Sequence, residues 1–350
     1  MRKIIILLLT IFCLTACRSN WEVNEGYEVS EILLGVVDSS STENNSHILW
    51  YDEDLNQIAK HQLKYASLGS PFSQVDYFDE EAFLIPQGLQ GKQDAKLVIS
   101  VNHKDYSITE YPMDNISLND LAVNDSFIYT INTLNGTSHI SSLNKETKEF
   151  KEILVEDEYV YAITATDDKV FCFSNREEIS GTKIYLYVYD ENLNLLFEKR
   201  LKNVGRGQMK FEEDKRYLYT ASSTNDKDDG PGNQLLRIDK ESYDVDQLVL
   251  EEVSPNDLYR KDNILYITHN DPVIGQGSSV SIVDLNSLTT KKFIDLEQDL
   301  ELVAFDYPYF YSVSKDTLTK WNMAMDFSKE KEIEMGYYPR NYLTAIILWR

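Results

Sequence analysis

Histidine, cysteine and basic side chains are scarce in this chain of 350 residues, and each scarcity removes a class of function. The five histidines, His47, His61, His103, His139 and His269, show no ligand spacing, so neither a metal nor a cofactor is expected. Two of the three cysteines, Cys13 and Cys17, fall near the start, leaving Cys172 alone and ruling out an internal disulfide framework. Cys172 sits in the apolar run Val170-Phe171-Cys172-Phe173 with no histidine nearby, the setting of a buried, inert thiol. Lysine and arginine total 34 against 58 acidic residues, and the formal charge of −24 repels nucleic-acid phosphates and anionic lipid alike. No apolar run reaches the roughly 20 residues of a spanning helix. No stretch keeps a 3.6 period for three turns, and no Ser-His-Asp order, nucleophile elbow or phosphate-cradling loop is present.

Aromatic residues, in contrast, are plentiful: 23 tyrosines and 14 phenylalanines are more than a disordered chain carries, so a folded domain is expected. The N-terminus has its own pattern. Arg2 and Lys3 precede eleven uncharged, mostly apolar residues, 4–14, a length that suits a signal-peptide core. Leu14-Thr15-Ala16-Cys17 follows and resembles the bacterial lipobox, with leucine at −3 and small residues at −2 and −1. The resemblance implies cleavage before Cys17 and a diacylglyceride, often with a further palmitate-like chain, on that cysteine; two or more chains anchor stably. The expected organisation is a signal peptide at 1–16, a lipidated tether at 17–29 and one domain at 30–350. The mature protein would be exported and held on the outer face of the cell membrane, or on an outer membrane if the source has one.

The body of the chain reads as short apolar bursts separated by Asn, Asp, Gly and Ser clusters. Ile184-Tyr185-Leu186-Tyr187-Val188-Tyr189 is a strand by its period of two. An apolar strand ending in Asp or Asn recurs at Asp52, Asn102, Asn144, Asp190, Asp239, Asp284 and, less cleanly, Asn322, at intervals of about 45 residues. The carboxylate or amide bonds amides two residues on and sets a turn. That period, with several strands per repeat, predicts an all-β propeller of seven four-stranded blades, with eight as the alternative count and a β-sandwich as the rival fold. Ile264-Leu265-Tyr266-Ile267-Thr268-His269-Asn270 with Ser279-Val280-Ser281-Ile282-Val283-Asp284 resembles the YVTN-type repeat of bacterial WD40-like propellers. The GH and WD dipeptides of WD40 repeats themselves are missing, and 14 glycines are too few for kelch repeats.

A propeller must close, because an open first blade leaves an unpaired edge. Residues 31–37 read as a second strand of blade 1, so the apolar C-terminal run 343–349 is expected to supply its inner strand. Within a blade of strands A to D, the B–C loops and D–A connectors share one face, where variable loops suit binding. The loops expected there are 38–47, 175–182, 222–233 and 269–279. Residues 226–230 carry acids and a glycine, but lysine at 227 breaks the spacing of a calcium loop. Arg206, in Gly205-Arg206-Gly207, and Arg340, after Pro339, fall on D–A connectors and are the candidate contacts for a carboxylate or phosphate. The function expected is non-catalytic: a monomeric, membrane-anchored propeller binding a protein, peptide or glycan. The alternatives are a lactonase-like hydrolase or lyase and a helper in envelope assembly.

Overall fold

The computed structural model describes residues 20–70, 72–86, 95–225, 227, 230–336 and 341–349. Its strands form seven sheets arranged as the blades of a propeller. Blade 1 contains β1 (Asn20–Val23), β2 (Leu34–Ser40), β3 (Ser46–Tyr51) and β4 (Gln57–Leu63). Blade 2 is β5 (Asp76–Phe78), β6 (Glu81–Leu84), β7 (Leu97–Asn102) and β8 (Ile108–Pro112). Blade 3 is β9 (Asp120–Val123), β10 (Phe127–Leu134), β11 (Thr137–Asn144) and β12 (Phe150–Glu156). Blade 4 is β13 (Glu158–Ala165), β14 (Lys169–Glu178), β15 (Gly181–Asp190) and β16 (Leu195–Leu201). Blade 5 is β17 (Phe211–Glu213), β18 (Tyr217–Thr224), β19 (Pro231–Asp239) and β20 (Val245–Val249). Blade 6 is β21 (Pro255–Lys261), β22 (Ile264–Asp271), β23 (Gln276–Asp284) and β24 (Thr289–Asp295). Blade 7 is β25 (Leu302–Asp306), β26 (Tyr309–Ser314), β27 (Thr317–Asn322) and β28 (Ser328–Glu334), after which β29 (Asn341–Leu348) returns to blade 1.

The Asp/Asn landmarks act as the turn chemistry requires. Asp52, Asp190, Asp239 and Asp284 each accept backbone amides two to four residues ahead, as do Asn102 and Asn144. Each turn then contains a non-glycine residue in the left-handed region: Leu55, Tyr106, Lys148, Leu193, Tyr243 and Leu288. That conformation costs about 1–2 kcal/mol. Leu55, Tyr106 and Leu193 offset it by burying their side chains between blades. Asn322 departs from the pattern, since a short 3-10 turn at Met323–Met325 replaces the amide-capped one.

Seven apolar clusters occupy the seven seams between neighbouring blades. The strand period of two divides each strand between two seams. In β3, Ile48 and Trp50 point to blade 2 whereas Leu49 and Tyr51 point to blade 7. Burial on both faces is why the inner strands are apolar almost throughout.

Closure follows the expected route. β29 pairs with β2 from Leu34 opposite Leu348 to Ser40 opposite Asn341, and becomes the innermost strand of blade 1. Three differences from the sequence reading stand out. Residues 20–23, expected within a tether, form β1 on the outer edge of β4. The B–C loops are shorter than expected, because pairing continues outward; β14 and β15 leave only Ile179 and Ser180 between them. The B–C connection of blade 2, residues 85–96, is the long one, and 87–94 lie outside the described residues.

β29 buries Ala345, Ile346, Ile347 and Leu348 to 7% exposure or less. Each large apolar side chain withdrawn from water contributes about 1.5–3 kcal/mol. Deleting residues 341–350 should therefore lower the melting temperature by more than about 10 °C. Thermal melting of the truncated chain checks this; an unchanged midpoint would mean that β29 does not hold the ring.

Candidate functional site

The B–C/D–A face is shaped by two connectors that are fixed by different means. The first, 64–75, links blade 1 to blade 2 and is laid over the inner strands: Ser67 donates to the Ser40 carbonyl at 2.7 Å and Thr344 Oγ1 to the Leu68 carbonyl at 2.6 Å. It then crosses the central channel. Gln74 Oε1 accepts the Phe211 amide of blade 5 at 3.0 Å, while Gln74 Nε2 donates to Asp76 Oδ1 at 2.9 Å. One glutamine thus ties blade 2 to a strand on the far side of the ring.

The second connector, 202–210, carries Arg206. Its backbone forms a one-residue bridge to β18: Arg206 N donates to the Thr224 carbonyl at 2.8 Å, and Thr224 N to the Arg206 carbonyl at 3.1 Å. Only glycine fits on either side. A Cβ on Gly205, at φ +68°, would lie 2.5 Å from the Thr224 carbonyl oxygen, and one on Gly207, at φ +74°, would lie 2.2 Å from Ser223 Oγ. Beneath the connector, Gln208 is fully buried and bonds Tyr161, Ser222 and the carbonyls of Val204 and Gly205. A buried polar network satisfied in this way fixes the connector in one position.

Together the connectors enclose a mouth pocket of about 280 Å³ lined by Phe72, Tyr159, Tyr161, Arg206, Met209 and Val273, among others. Phe72 is 41% exposed, Tyr159 44% and Val273 77%. Ile179, at the tip of the β14–β15 hairpin, and Ile274 are exposed on the same face. These apolar groups are left in water on one face of the ring.

On the other side of the Gln74 crossing lies the channel proper, a cavity of about 730 Å³. Lys210 Nζ meets Asp257 Oδ1 at 2.6 Å, with 10% and 15% of their side chains exposed. Asp76 Oδ2 accepts the Val123 amide at 3.0 Å, and Asp120 Oδ2 accepts the Ile163 amide at 3.1 Å, so one device pins blade 2 to 3 and blade 3 to 4. Burial pushes the Asp76 carboxyl up to about 6, against the bonds from Gln74 and Val123. Burial drives Asp120 well above the ordinary carboxylate range, with Asp76 adding to the effect. Asp79, Glu80, Asp167, Glu212 and Glu213 make the far end of the cavity acidic.

Of the residues singled out from sequence, Arg206 lines the mouth pocket, as expected for its connector. Arg340 and Cys17 lie outside the described residues, and so do Asp226, Asp228 and Asp229. Cys172 is fully buried and its thiol is pushed up by desolvation. Among the described residues no group of three or more His, Cys, Asp or Glu is placed to hold a metal ion. Sequence reasoning missed Gln74, Lys210 and Asp76, whose partners lie on other blades, and also Phe72 and Tyr159. The one signal for the last two was an aromatic residue beside turn-forming residues, Ser70-Pro71-Phe72 and Asp157-Glu158-Tyr159.

No family profile matches the chain, and no curated protein matches it. Solved structures do. The chain is similar to the dihydro-heme d1 dehydrogenase NirN, solved in complex with DHE, at a TM-score of 0.56 and 13% identity over 91% of this chain; it spans 66% of that protein's length. It is similar to the WD40 domain of Neurospora crassa Pan2 at a TM-score of 0.54 and 11% identity, over 78% of this chain and 81% of that one. It is also similar to a functionally unknown protein of Desulfotomaculum acetoxidans at a TM-score of 0.57 and 9% identity, over 89% of this chain and 99% of that one. At such identities the likeness shows the propeller fold alone.

The raised carboxyl gives a pH test. The folded protein holds the Asp76 proton more tightly than the unfolded chain, whose value is near 3.8. Protonation therefore favours the fold: the contribution is full below about pH 4 and is lost as pH rises through about 6. Relative to wild type, Asp76→Asn should gain on the order of 3 °C in melting temperature between pH 4.5 and pH 7. A wild-type-to-variant difference that stays constant over that range would contradict the shift.

Proposed function

We propose that this protein is an exported, lipid-anchored propeller that binds a protein, peptide or glycan partner through its B–C/D–A face, without catalysis. The observation that carries the reading is the mouth pocket. Exposed aromatic and aliphatic groups share its wall with Arg206, whose connector is bridged to β18 between two glycines. A surface held rigid before a partner arrives loses little conformational entropy on binding. The apolar rim of Phe72, Tyr159 and Val273 offers contact area, and Arg206 offers a charge-assisted bond to a carboxylate or phosphate. Arg340 follows the same connector logic in sequence.

The channel groups are read as ties between strands. Lys210 is paired with Asp257, and Asp76 and Asp120 each accept an amide of the next blade. Export and anchoring rest on the apolar run 4–14 and on Leu14-Thr15-Ala16-Cys17.

The test compares capture of cell-envelope components by the full chain in mild detergent with capture by an Arg206→Ala/Tyr159→Ala variant. A charge-assisted hydrogen bond contributes about 1.5–3 kcal/mol, so its loss should weaken retention about tenfold or more. The melting temperature should stay within a few degrees of wild type. Equal retention of the same components by both proteins would place the binding surface elsewhere.

A further inference from the structure

Blade 1 alone among the described sheets has a fifth strand. β1 adds to the outer edge of β4 in antiparallel register, with Trp21 opposite His61, Glu22 opposite Lys60 and Val23 opposite Ala59. Trp21 and Val23 turn inward onto the core between blades 1 and 2, and Glu22 is exposed. The Trp21 ring stands edge-on to His61 at 5.1 Å, stacks on Tyr106 at 5.4 Å and lies 6.0 Å from Trp50. His61 beneath it is 1% exposed, and burial lowers its imidazole to about 4, so the floor of the Trp21 site is neutral. Trp50 and Tyr106 also contact Trp349, just past β29, so one aromatic cluster seats both the first and the last strand.

β4 runs from the C–D turn towards the B–C/D–A face, and antiparallel β1 therefore begins at the outer rim of that face. The inference rests on the proposed lipidation of Cys17. Two residues separate Cys17 from Asn20, and extended chain covers about 3.3–3.6 Å per residue step, so three steps limit the acylated residue to about 10 Å from β1. A free tether of residues 17–29 would reach about 40 Å and let the propeller turn any side to the bilayer. Docking of β1 removes most of that reach.

We infer that β1 is an orienting strap, which holds the outer edge of blade 1 against the membrane and turns blades 4 and 5, across the ring, away from it. The mouth pocket takes its walls from blades 4, 5 and 6, with Phe72 from the first connector, so it lies across the ring from the strap. At a net charge of −24 the chain is repelled by anionic lipid, and the covalent path through β1, rather than surface attraction, sets the orientation.

The test uses the full lipidated chain in phosphatidylcholine vesicles that carry a nitroxide quencher at headgroup level. A fluorophore is attached at Glu22→Cys, Leu196→Cys or Gln247→Cys, exposed positions on β1, β16 and β20. Cys172, fully buried, stays unlabelled. Two four-stranded blades at about 4.8 Å per strand, with the channel between them, put positions 196 and 247 roughly 40 Å from blade 1's edge. Quenching is expected at position 22 and absent at 196 and 247. A Gly-Ser insertion of about twelve residues after Ser19 leaves β1 docked but lengthens the tether, and should abolish the difference. Equal quenching without the insertion, or stronger quenching at 196 or 247, overturns the strap. The intact mass of the extracted chain separates the two readings. A chain without acyl groups defeats the lipid anchor and the strap with it, whereas an acylated chain quenched equally at all three positions defeats the strap alone.

Discussion

The pairing of β2 with β29 joins two segments some 300 residues apart, and the remaining geometry depends on it. Six blades can each be made from consecutive strands, but blade 1 takes its innermost strand from the other end of the chain. Without that strand β2 would present an open edge to the channel, and blade 7 would face only half of its packing partner. With it, Ile346 and Leu348 pack against Leu302, Tyr311 and Val313 across the closing seam. The aromatic cluster of Trp21, Trp50, Tyr106 and Trp349 secures the next seam and draws the N-terminal strand into the same closure.

A closed ring with seven apolar seams lets its surface connectors be held by specific contacts. Gln74 reaches across the channel to Phe211, and this contact is possible only because blades 2 and 5 are kept at a fixed distance. The Gly205-Arg206-Gly207 bridge likewise needs β18 in place before Arg206 can take its position in the wall of the mouth pocket. Rigidity generated by the core is thus passed to the face where binding is proposed. The acids of the channel contribute by bonding amides of the next inner strand, at the cost of burying carboxyl groups.

Much of this was legible in the sequence where the physics is local. The Asp/Asn landmarks bond their own turns, so the period of about 45 residues survives wide variation between blades. Closure was legible because blade 1 begins with a strand that lacks an inner neighbour while the chain ends in an apolar strand-length run. β1 was not legible. Four residues, Asn20-Trp21-Glu22-Val23, carry too short a pattern, and their inward face is defined only by blade 2 packing across the seam. Arg206 could be placed on its connector from strand direction alone. Phe72, Tyr159 and Gln74 could not, because their surroundings come from connectors distant in sequence.

If closure governs the whole domain, β29 cannot open by itself while the other blades stay folded. Native-state hydrogen exchange of the β29 amides against those of β14 and β15, in the middle of the chain, measures this directly. The account predicts that the paired amides of Ala345 and Ile347, opposite Val37 and Gly35 of β2, exchange only through global unfolding, with the same free energy as Phe171 and Leu186. Exchange of the β29 amides at a clearly lower free energy, with blade 4 still protected, would contradict it.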